Sequence, residues 1–221
     1  MSGNLNSDMP MISASLKCGS APTMRRVYPD LYNDDLPRIF TYWTGDRYAG
    51  SGCYNLMCLG FIQTSSEVAL GASLSHSVYE GDQVYIDVVV LQDKDVECWY
   101  LQIGGKLIGY WPGNIVPNLS NGAEEAQFGG EIYDQRAAMS IPGPATTTDM
   151  GSGYFPGEGL GRASSISNIM LVDNESGLVE IPHQVITLSS KPQCYDLAMG
   201  ETTQSGFSFF FGGSGFNDQC R

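Results

Sequence analysis

The chain has 221 residues and a formal net charge of −13, from 24 acidic and 11 basic side chains. The chain is acidic and has no basic stripe, so neither nucleic acid nor an anionic membrane surface is expected as a partner. Hydrophobic residues make up 42% and charged residues 16%, which predicts a folded domain with its own core rather than a disordered chain.

The first 26 residues differ from the rest of the chain. They show no alternation of apolar and polar residues, and they hold four of the nine methionines. We therefore expect this segment to be poorly ordered. Residues 1–16 have no basic start and no uninterrupted apolar stretch, so they are not typical of a signal peptide.

Short runs of β-branched and aromatic residues begin at Arg38 and alternate with Gly, Asp and Asn. Gly104-Gly105 predicts a hairpin turn, and Asp93-Lys94-Asp95 predicts the turn before it. Residues 137–153 predict a long surface loop. The pattern indicates an all-β protein, a β-sandwich of two antiparallel sheets. The clearest predicted strands cover residues 38–43, 84–91, 99–103 and 106–111.

A metal site is not expected from the cysteines and histidines. The chain has no Cys-x-x-Cys pair, and its two histidines are His76 and His183. We expect no metal and no cofactor. The six cysteines are Cys18, Cys53, Cys58, Cys98, Cys194 and Cys220.

Disulfides suit the cysteine spacing better. Cys53 and Cys58 are close enough for a local bond, and a bond from Cys194 to Cys220 would pin the C-terminal tail. Together with two Asn-x-Ser sequons, these cysteines favour an oxidising compartment. The sequons are Asn118-Leu119-Ser120 and Asn174-Glu175-Ser176.

Carboxylates are the remaining candidates for chemistry, because the chain has no Gly-x-Ser-x-Gly elbow and no phosphate-binding loop. Glu131 follows Gly129-Gly130 and precedes Ile132-Tyr133, which is typical of a strand entering a packed sheet. A partly desolvated carboxylate there can act as a general acid or base. The alternative is a glutamate at a strand start exposed to water, the more frequent case for this residue type.

Consecutive blocks from Val27 to Cys220 resemble the neprosin domain. They occur in the family's order, and one of them is the Gly-Gly-Glu block that ends at Glu131. We therefore divide the chain into a divergent segment, residues 1–26, and a neprosin-like domain, residues 27–221. The similar blocks are residues 28–34, 38–44, 52–64, 109–112, 129–131, 147–155, 194–196 and 211–215.

The resemblance implies a secreted glutamic endopeptidase of plant type, active in acid, that cleaves a peptide or protein substrate at proline. It implies the disulfides Cys53–Cys58 and Cys194–Cys220. We expect Cys98 to be a buried free thiol. We also expect a monomer.

One catalytic residue of the family is missing from this sequence. The family places two glutamates across its substrate cleft, and Glu131 matches one of them. The other opens a Glu-Ala-Gly-Trp-Gln-Val-type block, and its position is Pro22 here. Loss of one acid or base predicts activity lower by about 10²- to 10⁴-fold. Asp8 and Asp30 are near in sequence, but nothing places either opposite Glu131.

Whether the chain is an enzyme is therefore left open by its sequence. The alternative function is a non-catalytic module for extended proline-rich or cell-wall ligands, held by aromatic stacking. These aromatic side chains can equally be core residues. A third hypothesis is that residues 1–26 replace the domain's own N-terminal block. The candidate cleft residues are Tyr42, Trp43, Tyr110 and Trp111.

Overall fold

A computed structural model gives the fold. It describes residues 32–33, 36–46, 48–132, 134, 139–140, 143, 145–172, 185–200 and 206–220, and the strand pairing of residues 12–13 and 179–180. In this part of the chain regular structure is almost entirely β, with three single-turn 3-10 helices at Gly113–Ile115, Pro117–Leu119 and Pro156–Glu158. The all-β prediction is confirmed.

The described strands form four sheets, and every strand pairing in them is antiparallel. The sheet orders are β1-β2-β3, β4-β7-β6-β5, β11-β12-β8 and β10-β9. The strands are β1 (Ile12–Ser13), β2 (Tyr42–Trp43), β3 (Cys53–Tyr54), β4 (Ile62–Gln63), β5 (Val88–Asp93), β6 (Cys98–Ile103), β7 (Lys106–Pro112), β8 (Ser164–Ile169), β9 (Leu171–Val172), β10 (Val179–Glu180), β11 (Asp196–Met199) and β12 (Phe207–Gly212).

The chain divides into two compact units. The described residues of 38–73 and 85–127, with β1, form the first unit, and those of 32–37, 74–84 and 128–220 form the second. β1 lies within the N-terminal segment that the sequence predicts to be poorly ordered, and it pairs with β2.

The first unit is built on the four-stranded sheet. β6 alternates buried and half-buried residues, which is the period of two expected for a strand with one covered face. Its buried side chains include Trp99 and Leu101, and Trp99 lies opposite Trp111 of β7. Trp99 Nε1 donates a hydrogen bond of 3.2 Å to the Leu119 carbonyl oxygen. Residues 113–122 are thereby attached to this core.

The β6–β7 hairpin has the predicted two-residue turn. Gly104 and Gly105 have φ of 56° and 74°, values that glycine adopts at no steric cost. The same turn explains why the predicted strand over residues 84–91 begins only at Val88. Val88 pairs with Ile103, the last residue of β6, so residues before Val88 have no β6 partner.

The second unit is built around β12, which pairs with β11 on one side and β8 on the other. Phe207, Phe209 and Phe211 are all buried and form its core with Ile169. The prediction of a surface loop over residues 137–153 is wrong for its last part. Ser152 is buried, and Met150 packs against the phenylalanine cluster.

Candidate functional site

Glu131 lies in the second unit, directly after a glycine that has no room for a side chain. A Cβ added at Gly130 would lie 2.6 Å from Met150 Cγ, 2.7 Å from Met150 Sδ and 2.9 Å from Phe211 Cε2. Such distances are shorter than any van der Waals contact between carbon or sulfur atoms. The backbone before Glu131 is therefore packed directly on the hydrophobic core.

The segment that contacts Gly130 is itself held in place. Met150 N donates to the Gly213 carbonyl oxygen at 2.9 Å, just beyond β12. Gly153 N then donates to the Met150 carbonyl oxygen at 3.0 Å and closes a turn. Met150 thus connects the Gly-Gly-Glu block to the end of a central strand.

Glu131 itself is exposed. Of the two interpretations of this residue considered from its sequence neighbours, the exposed position matches the alternative of a glutamate open to water. Gly130 is thus packed against Met150 and Phe211, whereas the next residue, Glu131, is exposed. The position of the missing glutamate, Pro22, lies outside the described residues, as do Asp8 and Asp30.

The four aromatic candidates lie in the first unit and differ in exposure. Trp111 is 0% exposed and Trp43 is 8% exposed, so both belong to the core. Phe61 packs against Trp111 with 4.7 Å between ring centroids. The suggestion that these two tryptophans stack on a ligand is corrected here, because neither indole presents a face to solvent. Tyr42 and Tyr110 are half-buried.

Tyr42 is the centre of a row of four aromatic rings. Its ring centroid is 4.7 Å from that of Tyr54 and 5.6 Å from that of Tyr48, and Phe40 adds a ring 5.8 Å from Tyr54. Tyr48 stacks almost parallel to Tyr42, whereas the other two pairs are tilted by about 55°, the offset geometry that aromatic pairs prefer. We call Phe40, Tyr54, Tyr42 and Tyr48 the aromatic row.

Three members of the aromatic row are absent from the sequence-based candidates. Phe40 is two residues from Tyr42 and so lies on the same side of an extended chain, a signal that was present in the sequence. Tyr54 is the register partner of Tyr42 across β2 and β3. Tyr48 has no local signal, because its stacking depends on the shape of the loop that carries it.

That loop, residues 44–51, is organised by Asp46. Ser51 N donates to Asp46 Oδ2 at 2.8 Å, Ala49 N to Oδ1 at 3.2 Å and Thr44 Oγ1 to Oδ1 at 3.1 Å. The pKa of Asp46 lies below its ordinary value of 3.8, mainly because the Ser51 side chain donates a hydrogen bond to the carboxylate. Burial acts in the opposite direction and raises this pKa. Tyr48 N donates to Thr44 Oγ1 at 3.0 Å, which completes the loop.

Tyr110 belongs to a different surface, on the half-buried face of the four-stranded sheet. It lies opposite Tyr100, with 5.8 Å between the ring centroids. Tyr100 also lines a shallow groove of about 450 Å³ with Leu91 and Leu107. Burial raises the pKa of Tyr100, and nearby Cys98 and Asp93 raise it further.

The cysteines form the two expected bonds. Cys53 is bonded to Cys58 and Cys194 to Cys220, with Cα–Cα distances of 6.0 Å and 5.2 Å. Cys98 is a free thiol, but it is half-buried rather than buried, because it faces the open side of its sheet. Cys18 lies outside the described residues.

The described ranges contain neither a metal-binding cluster nor a membrane-spanning helix. No group of three or more His, Cys, Asp or Glu side chains there could hold a metal ion. No helix in those ranges is long and apolar enough to cross a membrane.

The fold and the site together define an all-β, disulfide-bonded protein that carries an exposed glutamate on a tightly packed Gly-Gly-Glu block. The family model described as Neprosin matches residues 17–214, which is most of the chain. The chain therefore belongs to the neprosin family, which is generally a family of peptidases. The resemblance seen in the sequence is confirmed. The match includes residues 17–26, a stretch without any carboxylate residue.

Proposed function

We propose that this chain is a glutamic endopeptidase domain that hydrolyses peptide bonds at proline in acid, with Glu131 as its remaining catalytic carboxylate. The observation that carries the proposal is the exposed Glu131 held on a backbone that packs against Met150 and Phe211. A fixed backbone with an accessible carboxylate is what a general base needs, since geometry must be set before proton transfer. Membership of the neprosin family supports the same reaction.

The chemistry requires two proton transfers. An ionised Glu131 takes a proton from the attacking water as its oxygen bonds to the scissile carbonyl carbon. The nitrogen of the leaving amine then needs a proton as the carbon–nitrogen bond breaks. A second glutamate would supply it, but Pro22 occupies that position. Glu131 must then return its own proton to the amine, or hydronium must donate one. The need for this proton favours acid pH. The loss of the second glutamate lowers the rate by about 10²- to 10⁴-fold.

The test is digestion of a proline-containing peptide at acid pH, with product masses as the readout. The native chain is expected to cleave slowly next to proline, and Glu131→Gln is expected to stop cleavage, because an amide cannot accept the proton. Glu124→Gln is the matched control, since Glu124 is also exposed. Equal cleavage by the native chain and Glu131→Gln would remove Glu131 from the mechanism.

A second candidate function is a non-catalytic module that binds an extended proline-rich chain. The aromatic row is the specific observation that favours it. The rings of Phe40, Tyr54 and Tyr42 are tilted by about 55° to their neighbours, so ring faces and ring edges alternate along the row. Proline-rich chains in the polyproline II conformation dock their rings into grooves lined by aromatic side chains. The loop hydrogen bonds fix the Tyr48 backbone and the Tyr48 ring stacks on Tyr42, so little side-chain entropy would be lost on binding.

Calorimetric titration of oligoproline into the Glu131→Gln protein separates binding from hydrolysis. Micromolar binding is expected, and Tyr42→Ala should weaken it at least tenfold, because Tyr42 contacts two other rings of the row. Tyr85→Ala is the control, since Tyr85 is 60% exposed and belongs to the same unit. Binding that is indifferent to Tyr42, or that occurs only with a cell-wall polysaccharide, would count against a proline-rich ligand.

We also propose an extracellular location for this chain, supported by its two disulfides, which persist in oxidising compartments.

A monomeric state is proposed as well. Sedimentation of the oxidised protein at neutral pH tests it, and a concentration-dependent mass would contradict it.

A further inference from the structure

One sequon of the chain lies in a surface turn. Asn118, Leu119 and Ser120 span the end of the 3-10 helix Pro117–Leu119 and its C-cap. Asn118 and Ser120 are exposed, whereas Leu119 between them is only 2% exposed. The two side chains that define the sequon are thus on the surface, and the residue between them anchors the turn.

The backbone of the turn is fixed by two side chains of the four-stranded sheet, those of buried Trp99 and half-buried Gln92. The Leu119 carbonyl oxygen accepts hydrogen bonds from Trp99 Nε1 at 3.2 Å and from Gln92 Nε2 at 3.0 Å. Gln92 Nε2 also donates to the Ser120 carbonyl oxygen at 2.8 Å. None of these bonds involves the Asn118 side chain, so a bulky group on Asn118 would leave the attachment of the turn unchanged.

The Asn118 amide has a single described contact, and that contact is weak. Nδ2 lies 3.4 Å from the Gly45 carbonyl oxygen, at the long limit for a hydrogen bond. An amide nitrogen carries two hydrogens, so loss of one still leaves a donor for Gly45. The fold therefore tolerates a substituent on Nδ2.

We infer that Asn118 is an N-glycosylation site of this protein. The donor is a lipid-linked oligosaccharide diphosphate of the secretory pathway. Asn118 Nδ2 forms a bond to the anomeric carbon of the first sugar and gives up one proton to a base of the transferase. The bond between that carbon and the diphosphate oxygen breaks, and the lipid diphosphate leaves with the electron pair. The two disulfides match the compartment where this donor is available.

The contact with Gly45 also places the glycan beside the loop of residues 44–51. That loop carries Tyr48, which is 56% exposed. A glycan at Asn118 would stand next to Gly45, at the start of this loop, and make the surface there more polar. Protease cleavage within residues 44–51 is therefore expected to be slower in the glycosylated protein.

The test is secretion of the full chain behind a heterologous leader from eukaryotic cells, followed by amidase release of glycans in heavy-oxygen water. Peptide mass spectrometry should find the heavy-oxygen aspartate at position 118. Asn118→Gln and Ser120→Ala should each abolish the label, whereas Ser120→Thr should retain it, because threonine preserves the sequon. Asn174→Gln identifies any signal that comes from the other sequon.

Unmodified Asn118 in the secreted protein would overturn the inference, most clearly if Asn174 were occupied in the same sample. The unglycosylated Asn118→Gln protein should keep the circular dichroism spectrum of the native chain. A folding defect in that variant that is absent from the unglycosylated native chain would contradict the tolerance described for position 118, because it would assign the Asn118 side chain a structural role.

Discussion

Gly130 packs its α-carbon against the side chain of Met150, and no side chain at position 130 would fit between them. Met150 is in turn bridged to Gly213 after the central strand of the second unit. Glu131 thus directly follows a residue that is tightly packed against the core. Gly129, the residue before Gly130, has open space where a Cβ would lie.

This difference predicts that Gly130→Ala lowers the free energy of unfolding far more than Gly129→Ala does. An alanine methyl at 130 would displace the Met150 side chain and the Phe211 ring, and overpacking of this kind costs about 1–3 kcal/mol in the free energy of unfolding. Urea unfolding of the two variants is the measurement. Equal midpoints for both would contradict the packing described for Gly130.

Trp111→Ala is expected to lower stability rather than ligand affinity. Its indole is fully buried against Phe61, and removing a buried Trp side chain costs about 3–5 kcal/mol in the free energy of unfolding. Tyr110→Ala, one residue away and half-buried, is the comparison and should cost less. An unchanged unfolding midpoint together with weaker peptide binding would restore Trp111 as a ligand contact.

The loop that carries Tyr48 is expected to lose its order in strong acid. The folded-state pKa of Asp46 is lowered, so its stabilising contribution is present above the ordinary value of 3.8 and is lost as pH falls through the lowered value. The amide resonances of Ala49 and Ser51, which donate to Asp46, should titrate with a midpoint below 3.8. Asp46→Asn should abolish that titration. A midpoint at or above 3.8 in the native protein would contradict the lowered pKa of Asp46.

The two disulfides are expected to contribute unequally to stability. Cys194 and Cys220 are 26 positions apart, and Cys53 and Cys58 are 5 apart. Loop-closure entropy of the unfolded chain then predicts losses of about 3.5 and about 2 kcal/mol when each pair is replaced by alanine. Denaturant unfolding of the two double variants measures both. The reverse order would show that native-state effects outweigh chain entropy.

Restoring a carboxylate at the position of the missing glutamate should raise activity. Pro22→Glu is expected to increase cleavage of a proline-containing peptide by about 10²- to 10⁴-fold, because it returns the second proton donor. Thr23→Glu, which adds the same charge one position later, is the control. A similar gain from both variants would mean that added charge, and not the restored pair, raises the rate.

Local sequence patterns predicted several features correctly. Alternating apolar residues and Gly-rich turns indicated an all-β chain, and Gly104-Gly105 indicated the hairpin between β6 and β7. The short separation of Cys53 and Cys58 indicated their bond. These features depend on residues close together in the chain, whose period and backbone freedom are visible in the sequence itself.

Other features depended on partners far away in the sequence. Tyr110 and Trp111 are neighbours and equally aromatic, yet Trp111 is fully buried and Tyr110 is half-buried. Alternation along a strand separates their faces, but only the tertiary structure decides which face is covered. Tyr48 likewise joins the aromatic row only through the loop that Asp46 organises.

By itself, then, the sequence determined the fold class, the family and the identity of Glu131 as the carboxylate of a Gly-Gly-Glu block. The tertiary structure decided that Glu131 is exposed while Gly130 is packed, and that Trp43 and Trp111 belong to the core while Tyr42 and Tyr110 are only half-buried. The physical reason is the same in each case. Composition and spacing set what a residue can do, whereas exposure follows from contacts with residues that only folding brings near.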